Sequence, residues 1–526
     1  MAFELKHFED PDLHSEYLEH LLDNLAPQNQ AFYGKLWNYY RNPLLPSTTI
    51  SATALNENSR PYMLAQEAGL PPRITGVQRI AGERLTDLRR KEVVIENDIG
   101  WRIQTMVDYL FGKNISIRSK AKDRKKAAAI ETLLNSMLEA NGGIMLLQEL
   151  ALLGSVYGFV DIAMRIPADW SVDCIDCISE SVEESKCDTQ EKSEGQLGIK
   201  IDQEKFAKLL KLIKQIRLEA VDSARIIPVL DENDYRSTKY WIQHFVKNPP
   251  KLNRIRQSWI ERLKNKNKQV ILPESVEVVE IIGKKWWQRY ENRKLVAQGP
   301  NALGKLPIVH IQNVASGGTY EGLSDVEALI PMQDELNTRL SDRANRVTYQ
   351  SFKMYLGKGI EDFLERPVGP GQMWATHNLD ASIEEFGKDD GSPSEDIHIE
   401  QTRQALDKIS GVTPLAAGLI RGQIGNLSSA TALRVTLSGL LAKNARKRLT
   451  YGNGIAQLAK TTLAWLDKAG IFSTKEDERE IEIHWPSPLP TDESELLKNA
   501  QIKKSLGVSQ ERILTELGYE RNVAES

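Results

Sequence analysis

Gly322-Leu323-Ser324-Asp325-Val326-Glu327-Ala328-Leu329-Ile330-Pro331 opens the stretch that decides how this 526-residue chain is read. Ser324 is a favoured N-cap residue and Glu327 stands three places on, the spacing of a capping box. Behind them Val326, Leu329, Ile330, Gln333, Leu336, Asn337 and Leu340 fall on one helical stripe. The stretch to Val347 predicts a helix of roughly 35 Å at about 1.5 Å per residue. Pro331 lies inside it and should kink the helix or mark a second start.

Downstream, residues 348–394 read as short strands and turns, with Phe352 to Leu356 and Met373 to Ala375 as strand candidates. A second helix is expected from about Glu395 to Ser410, stopped by Gly411. Residues 412–428 read as a loop of Gly, Leu and Ala. A long helix should open at Ser428-Ser429 and run to about Arg448, with another following to Lys468.

Upstream, apolar residues from Glu92 to Leu110 recur near helical spacing, and Phe111-Gly112-Lys113-Asn114 ends that helix. Ile115 and Ile117 suggest a strand. Helices follow over about Arg124 to Ala140 and Met145 to Val156, the latter apolar nearly all round and so buried. Val221 to Tyr240 reads as strand, turn, strand; Val276 to Ile282 and Trp286 to Tyr290 form a hairpin around Gly283; Leu306 to Gln312 is another strand.

Charge is zoned along the chain. The net charge of −4 and pI near 6.2 do not describe a protein that simply coats DNA. From Lys408 to Leu466 there is no Asp or Glu, although at the chain-wide frequency of 72 in 526 about eight would be expected. The same stretch holds eight bases: Lys408, Arg421, Arg434, Lys443, Arg446, Lys447, Arg448 and Lys460. Between Lys358 and Glu400 the balance reverses to eleven acids against three bases. Lys247 to Lys268 is a second basic segment, read as a solvated amphipathic face.

Several function classes drop out. No window approaches the ~18 apolar residues of a membrane span, and Met1 to His20 carries acids with no apolar core of a secretory signal. Cys174, Cys177 and Cys187 lie in a polar, acidic segment with no fourth ligand nearby to complete a zinc tetrahedron, so no metal is expected. A disulfide framework is equally excluded, and a cytoplasm-like compartment fits. There is no phosphate-cradling glycine loop, no nucleophile elbow and no zinc-protease motif, so the chain reads as a non-enzyme without a cofactor.

An ordered set of segments resembles the portal, or head–tail connector, proteins of tailed bacteriophages, of the siphophage type. Tyr109-Leu110-Phe111-Gly112-Lys113 is similar to the helix–strand junction near the start of that family's wing. Val156-Tyr157-Gly158 is similar to its buried helix, and Ala224-Arg225-Ile226-Ile227-Pro228-Val229 before Asp231 to its strand turn. Gly322 to Asn337 resembles the first stem helix. Ile409-Ser410-Gly411-Val412 and then Ser428 to Leu440 resemble the tunnel loop and the helix after it, and Val508 to Leu514 the start of the C-terminal helix. The insertion from Cys174 to Gln203 has no counterpart in the family pattern.

The resemblance implies an α+β portal fold assembled as a ring of about twelve copies. Residues 1–321 would form the α/β wing, with a polar insertion at 170–203, and 322–347 the first stem helix. The clip would be 348–394, the second stem helix 395–411 and the tunnel loop 412–428. Residues 429–490 would be long channel and wing helices, and 491–526 a small helical crown. Double-stranded DNA would pass through the channel, facing Arg421, Gln423, Asn426, Lys443, Arg446, Lys447 and Arg448. The clip, with Phe352, Tyr355, Glu361, Asp362, Trp374, Glu384 and Glu385, would receive the terminase large subunit and later a head-completion or neck adaptor. The major capsid or scaffolding protein would surround the ring at a capsid vertex of the virion, assembled in the host cytoplasm, with no membrane partner. The alternative is a tail or scaffold-type assembly protein without a channel. A nucleic-acid enzyme with a diverged site is the third reading, and metal-dependent turnover would distinguish it.

Overall fold

The structure, a computed structural model, describes residues 13–46, 62–75, 91–166, 203–234, 237–247, 275–301, 303–351, 354–358, 379–386, 393–418, 434–489 and 493–510, with single positions near both ends. Helix α1 (Ala26–Arg41) extends a helical run that begins at Ser15 and stops at Asn42, whose φ of 47° is left-handed. Residues 91–97 are extended, not helical, and α2 (Asp98–Phe111) starts only after them. Asn97 caps it, accepting the Gly100 N–H at 3.1 Å. The strand β1 (Ser116–Ser119) and helices α3 (Arg124–Ala140) and α4 (Ile144–Tyr157) fall where periodicity places them.

Two sheets build the rest of the N-terminal half. Their strands are β2 (Phe159–Arg165), β3 (Arg217–Val221), β4 (Ile226–Leu230), β5 (Thr238–Lys247), β6 (Val276–Ile282), β7 (Trp286–Glu291), β8 (Lys294–Pro300) and β9 (Ile308–Gln312). Strands β4 to β8 make an antiparallel meander in the order β8-β7-β6-β5-β4. The expected hairpin is its β6–β7 pair, with Ile282 opposite Trp287 and Gly283 at the turn. A second sheet, β9-β2-β3, has β2 at its centre, buried along nearly all its length as a fully covered strand should be.

Two long helices follow. Ser324 Oγ accepts the Val326 and Glu327 amides at 3.1 and 3.3 Å, so it caps the first turn as expected. That turn is a short 3-10 piece, Glu327–Leu329, and α5 (Ile330–Ser351) begins at its end. Pro331 therefore marks a second start, in the first turn where its missing N–H costs nothing. The hairpin of β10 (Met354–Lys358) and β11 (Ser382–Phe386) comes next, then α6 (Pro393–Ser410). α5 and α6 run antiparallel, tied by Glu335–His398 at 2.9 Å, Arg343–Asp396 at 3.2 Å and Arg346–Glu395.

Helix α7 (Ser438–Lys468) is one continuous element where a break near Arg448 was expected. Two of its three glycines are backed by large side chains. A Cβ on Gly454 would lie 2.4 Å from Ile311 Cδ1, and one on Gly452 3.5 Å from Trp485 Nε1. After α7, β12 (Ile481–His484) returns to pair with β1, and α8 (Glu493–Ser505) follows.

The main core gathers α1–α4, the β9-β2-β3 sheet, the start of α5, the end of α6 and the inner face of α7. A second, smaller core lies on the five-stranded meander, where Phe3, Leu5, Phe8, Leu18 and Leu21 pack on Ile242, Val279, Ile281 and Tyr290. The segments 170–200 and 251–268 lie outside the described residues.

Candidate functional site

The acid-free segment decides what the protein could do with a polyanion, and its two roots are well defined. α6 ends at Ser410, and Gly411 turns the chain with φ of 72°, a conformation that side chains disfavour. Val412 is buried, and a 3-10 turn, Pro414–Ala417, leads away. On the return, a Cβ on Gly439 would lie 3.5 Å from the Gly411 carbonyl oxygen, so the two backbones meet glycine to glycine. The Lys443 ammonium closes the same point by donating to the Ser410 carbonyl at 3.1 Å. The described ends of the intervening segment thus meet at one pinch. Arg421, Gln423 and Asn426 fall outside the described residues.

Two buried charge clusters flank the pinch. In the first, Asp325 receives Lys447 Nζ at 2.5 Å, Lys443 Nζ at 2.7 Å and Asn313 Nδ2 at 2.9 Å. Lys447 also donates to Ser155 Oγ at 2.8 Å. Burial works to raise the Asp325 pKa, but the two ammonium groups, Lys447 foremost, overcome it and hold the carboxyl well below the usual range. Burial also pulls Lys447 below the ordinary lysine value, with Asp325 opposing and Lys443 adding to the depression. In the second cluster the fully buried Arg102 pairs with Asp98 at 2.9 Å and Asp407 at 2.7 Å. It also donates to the Val412 carbonyl at 2.5 Å and to Ser410 Oγ at 3.1 Å, satisfying the end of α6. The sequence reading missed Arg102. Its signal was Asp98 one helical turn before it on an otherwise apolar helix.

Lys443, Lys447 and Arg448, expected to meet DNA phosphates, have partners within the subunit. Lys447 is 2% exposed and its charge is taken up by Asp325. Lys443 bridges Asp325 and Ser410. Arg448 donates to the Pro486 carbonyl at 2.9 Å, with its guanidinium 5.2 Å from the Trp485 ring centroid. The partners lie far away in the chain, so charge counting could not find them. Arg446 differs: it is exposed on the outer face of α7 and forms no ion pair among the described residues.

Between α5 and α6, the hairpin sets Tyr355 opposite Glu385 and Leu356 opposite Glu384. Phe352, Glu361, Asp362 and Trp374 lie outside the described residues, as do Cys174, Cys177 and Cys187. Among the described residues no group of three His, Cys, Asp or Glu side chains is placed to hold a metal ion, and no helix is long and apolar enough to cross a membrane.

A polar ladder fixes α5 to residues 92–98. Gln333, Asn337, Ser341 and Asn345 recur every four residues on α5 and are all buried. Asn345 takes the Glu92 N–H at 2.9 Å and returns a bond to its carbonyl at 3.0 Å. Ser341 accepts the Val94 N–H at 3.0 Å, Asn337 the Glu96 N–H at 3.0 Å, and Gln333 the Asp98 N–H at 3.1 Å. Four helical residues rise about 6.0 Å and two extended ones about 6.7 Å, so each rung meets every second backbone amide of the strap. This is why residues 92–97 are extended although their apolar spacing reads as helix.

No curated protein sequence matches the chain. Among solved structures it is similar to a chain in the virion of a native gene transfer agent particle, at 12% identity and a TM-score of 0.40, covering 80% of this chain and 89% of that one. A chain in the neck of an empty gene transfer agent particle, computed with C6 symmetry, gives 12% identity, a TM-score of 0.42 and the same coverage. The sequence family described as "Phage portal protein, SPP1 Gp6-like" matches residues 101–526, from inside α2 through the stem helices, the pinch and α7. The family is a structural one rather than an enzymatic one. By that match, over well more than half of its length, the chain belongs to the SPP1 Gp6-like family of phage portal proteins.

Proposed function

We propose that this portal protein assembles into a ring of about twelve copies at one capsid vertex of a virion, forming the channel through which double-stranded DNA is packaged and ejected. The observation that carries the reading is the acid-free segment hung from a pinch between Ser410 and Lys443. Removing acids from a surface removes repulsion of phosphate, and scattered bases guide a duplex without gripping it, since every neutralised phosphate adds salt-dependent affinity. Arg421 at the loop and Arg446 on α7 are the bases the reading assigns to the channel.

The acidic segment between the stem helices, 348–394, is the docking surface for the terminase large subunit during packaging and for a head-completion or neck adaptor afterwards. Its charge suits basic partners. The wing faces the major capsid or scaffolding protein. In a reconstituted packaging reaction, particles carrying Arg421→Glu should package DNA poorly while their rings remain intact. Normal packaging by that variant would contradict the assignment of the loop.

A further inference from the structure

Helix α2 carries Arg102 and Tyr109 seven residues apart, on one face and separated by about 10.5 Å of helical rise. Both reach the chain just after α6. Arg102 donates to the Val412 carbonyl at 2.5 Å, and the Tyr109 hydroxyl donates to the Ala416 carbonyl at 3.5 Å. Between these points Thr413 is extended, at φ −92° and ψ 155°. The chain therefore runs along α2 before the Pro414–Ala417 turn packs against the same helix.

The buried Arg102 guanidinium has two sides with different partners. Nη1 donates to Ser410 Oγ at 3.1 Å as well as to the Val412 carbonyl. Nη2 pairs with Asp98 at 2.9 Å and with Asp407 at 2.7 Å. Asp98 is itself fixed: its carboxylate accepts the Trp101 indole N–H at 2.6 Å, and its backbone amide donates to Gln333 on α5 at 3.1 Å. The Trp101 ring centroid lies 4.5 Å from Arg102 Cζ. A planar fork held on its carboxylate side has its other side aimed at the backbone, which an ammonium on a flexible stem does not achieve. Balancing the carboxylates would need only a charge; the fork adds a direction.

Helix α7 adds a hold beside this grip. Lys443 donates to the Ser410 carbonyl, and Asn444 Nδ2 donates to the Tyr109 carbonyl at 2.8 Å, tying α7 to α2.

We propose that Arg102 and Tyr109 are positioning residues: without touching DNA, they set where and at what angle the chain leaves α6. Through that they set how the segment carrying Arg421 meets a duplex. This second step rests on the channel reading; the grip on residues 412–416 does not.

Three variants of the full-length protein, Arg102→Met, Arg102→Lys and Tyr109→Phe, separate the grip from plain stability. Lysine restores a cation beside Asp98 and Asp407 but not the fork. Arg102→Lys should therefore resist denaturant better than Arg102→Met. Its amides at 411–418 should nevertheless exchange with deuterium about tenfold faster than in the unaltered protein, the scale of one charge-assisted hydrogen bond. Tyr109→Phe loses a single hydroxyl and should raise exchange at 415–418 about threefold. Unchanged protection of 411–418 in Arg102→Lys, or in Tyr109→Phe if neither Arg102 variant folds, would overturn the grip. In a reconstituted packaging reaction, Arg102→Lys rings should package poorly, as Arg421→Glu rings should. Normal packaging by Arg102→Lys alongside poor packaging by Arg421→Glu would overturn the positioning role. Normal packaging by both would instead remove the channel reading, and with it the second step of the proposal.

Discussion

Lys447 and Asp325 stand 122 residues apart in the chain and 2.5 Å apart in space, both shut away from solvent. The contact joins the first third of the long helix α7 to the turn that leads into α5. Lys443 adds a second ammonium to the same carboxylate and reaches on to Ser410. The start of α5, the end of α6 and the long helix α7 therefore share one buried charge cluster.

Removing one member should be costly. Lys447→Met keeps most of the side-chain volume but leaves Asp325 with one cation, and a broken buried pair costs about 3–5 kcal/mol. Denaturant unfolding measures it. A loss below about 1 kcal/mol would show that the site is wetter than its burial implies.

The same cluster sets an acid limit. The Asp325 pKa is depressed on folding, so its contribution is complete above the ordinary carboxylate value of about 3.9 and is lost as pH falls toward the lower folded value. The unaltered protein should lose stability steeply below about pH 4, and Asp325→Asn should show a flatter acid limb from a lower starting stability. Unfolding curves across that range provide the comparison.

The ladder between α5 and the strap gives a local prediction. Asn337→Ala leaves the Glu96 amide and the Gln66 side-chain oxygen unpaired in a buried place, a loss of about 1–3 kcal/mol. Hydrogen exchange should rise first at residues 92–98, before α2 to α4 and the two sheets. Uniform exchange across these elements would argue that the strap is held by something other than the ladder.

Gly454 tests packing at the α7 seam. A methyl group there collides with Ile311, so Gly454→Ala should cost about 1–3 kcal/mol. Adding Ile311→Ala removes the colliding atoms and should make the pair more stable than the single Gly454→Ala change. Additive losses would contradict the collision.

The separation of buried from exposed bases predicts salt dependence. Arg446→Ala should lower the slope of log affinity for duplex DNA against log salt by about 0.9 for each phosphate that Arg446 neutralises. Lys447→Met should leave that slope unchanged. The opposite pattern would return Lys447 to the channel surface.

Local order was largely legible in the sequence. The helix from Arg124 to Ala140, the cap at Ser324 and the restart at Pro331 all follow from residues within one or two turns of each other. Errors arose where distant residues decide. Residues 92–97 carry apolar spacing close to helical, but side chains some 240–250 positions away take their backbone bonds. Arg448 to Lys468 reads as a second helix, whereas α7 runs through without a break, its Gly452 and Gly454 backed by Trp485 and Ile311. Charge zoning picked out the acid-free run but not which of its bases are already paired, because Asp325 lies outside that run.

Native mass spectrometry of the purified chain, with negative-stain images of the same sample, tests the ring most directly. A single closed assembly of about twelve copies with a central hole is the predicted result. A monomer or dimer persisting across salt conditions and with scaffolding protein added would contradict a channel-forming portal and favour an assembly role without one.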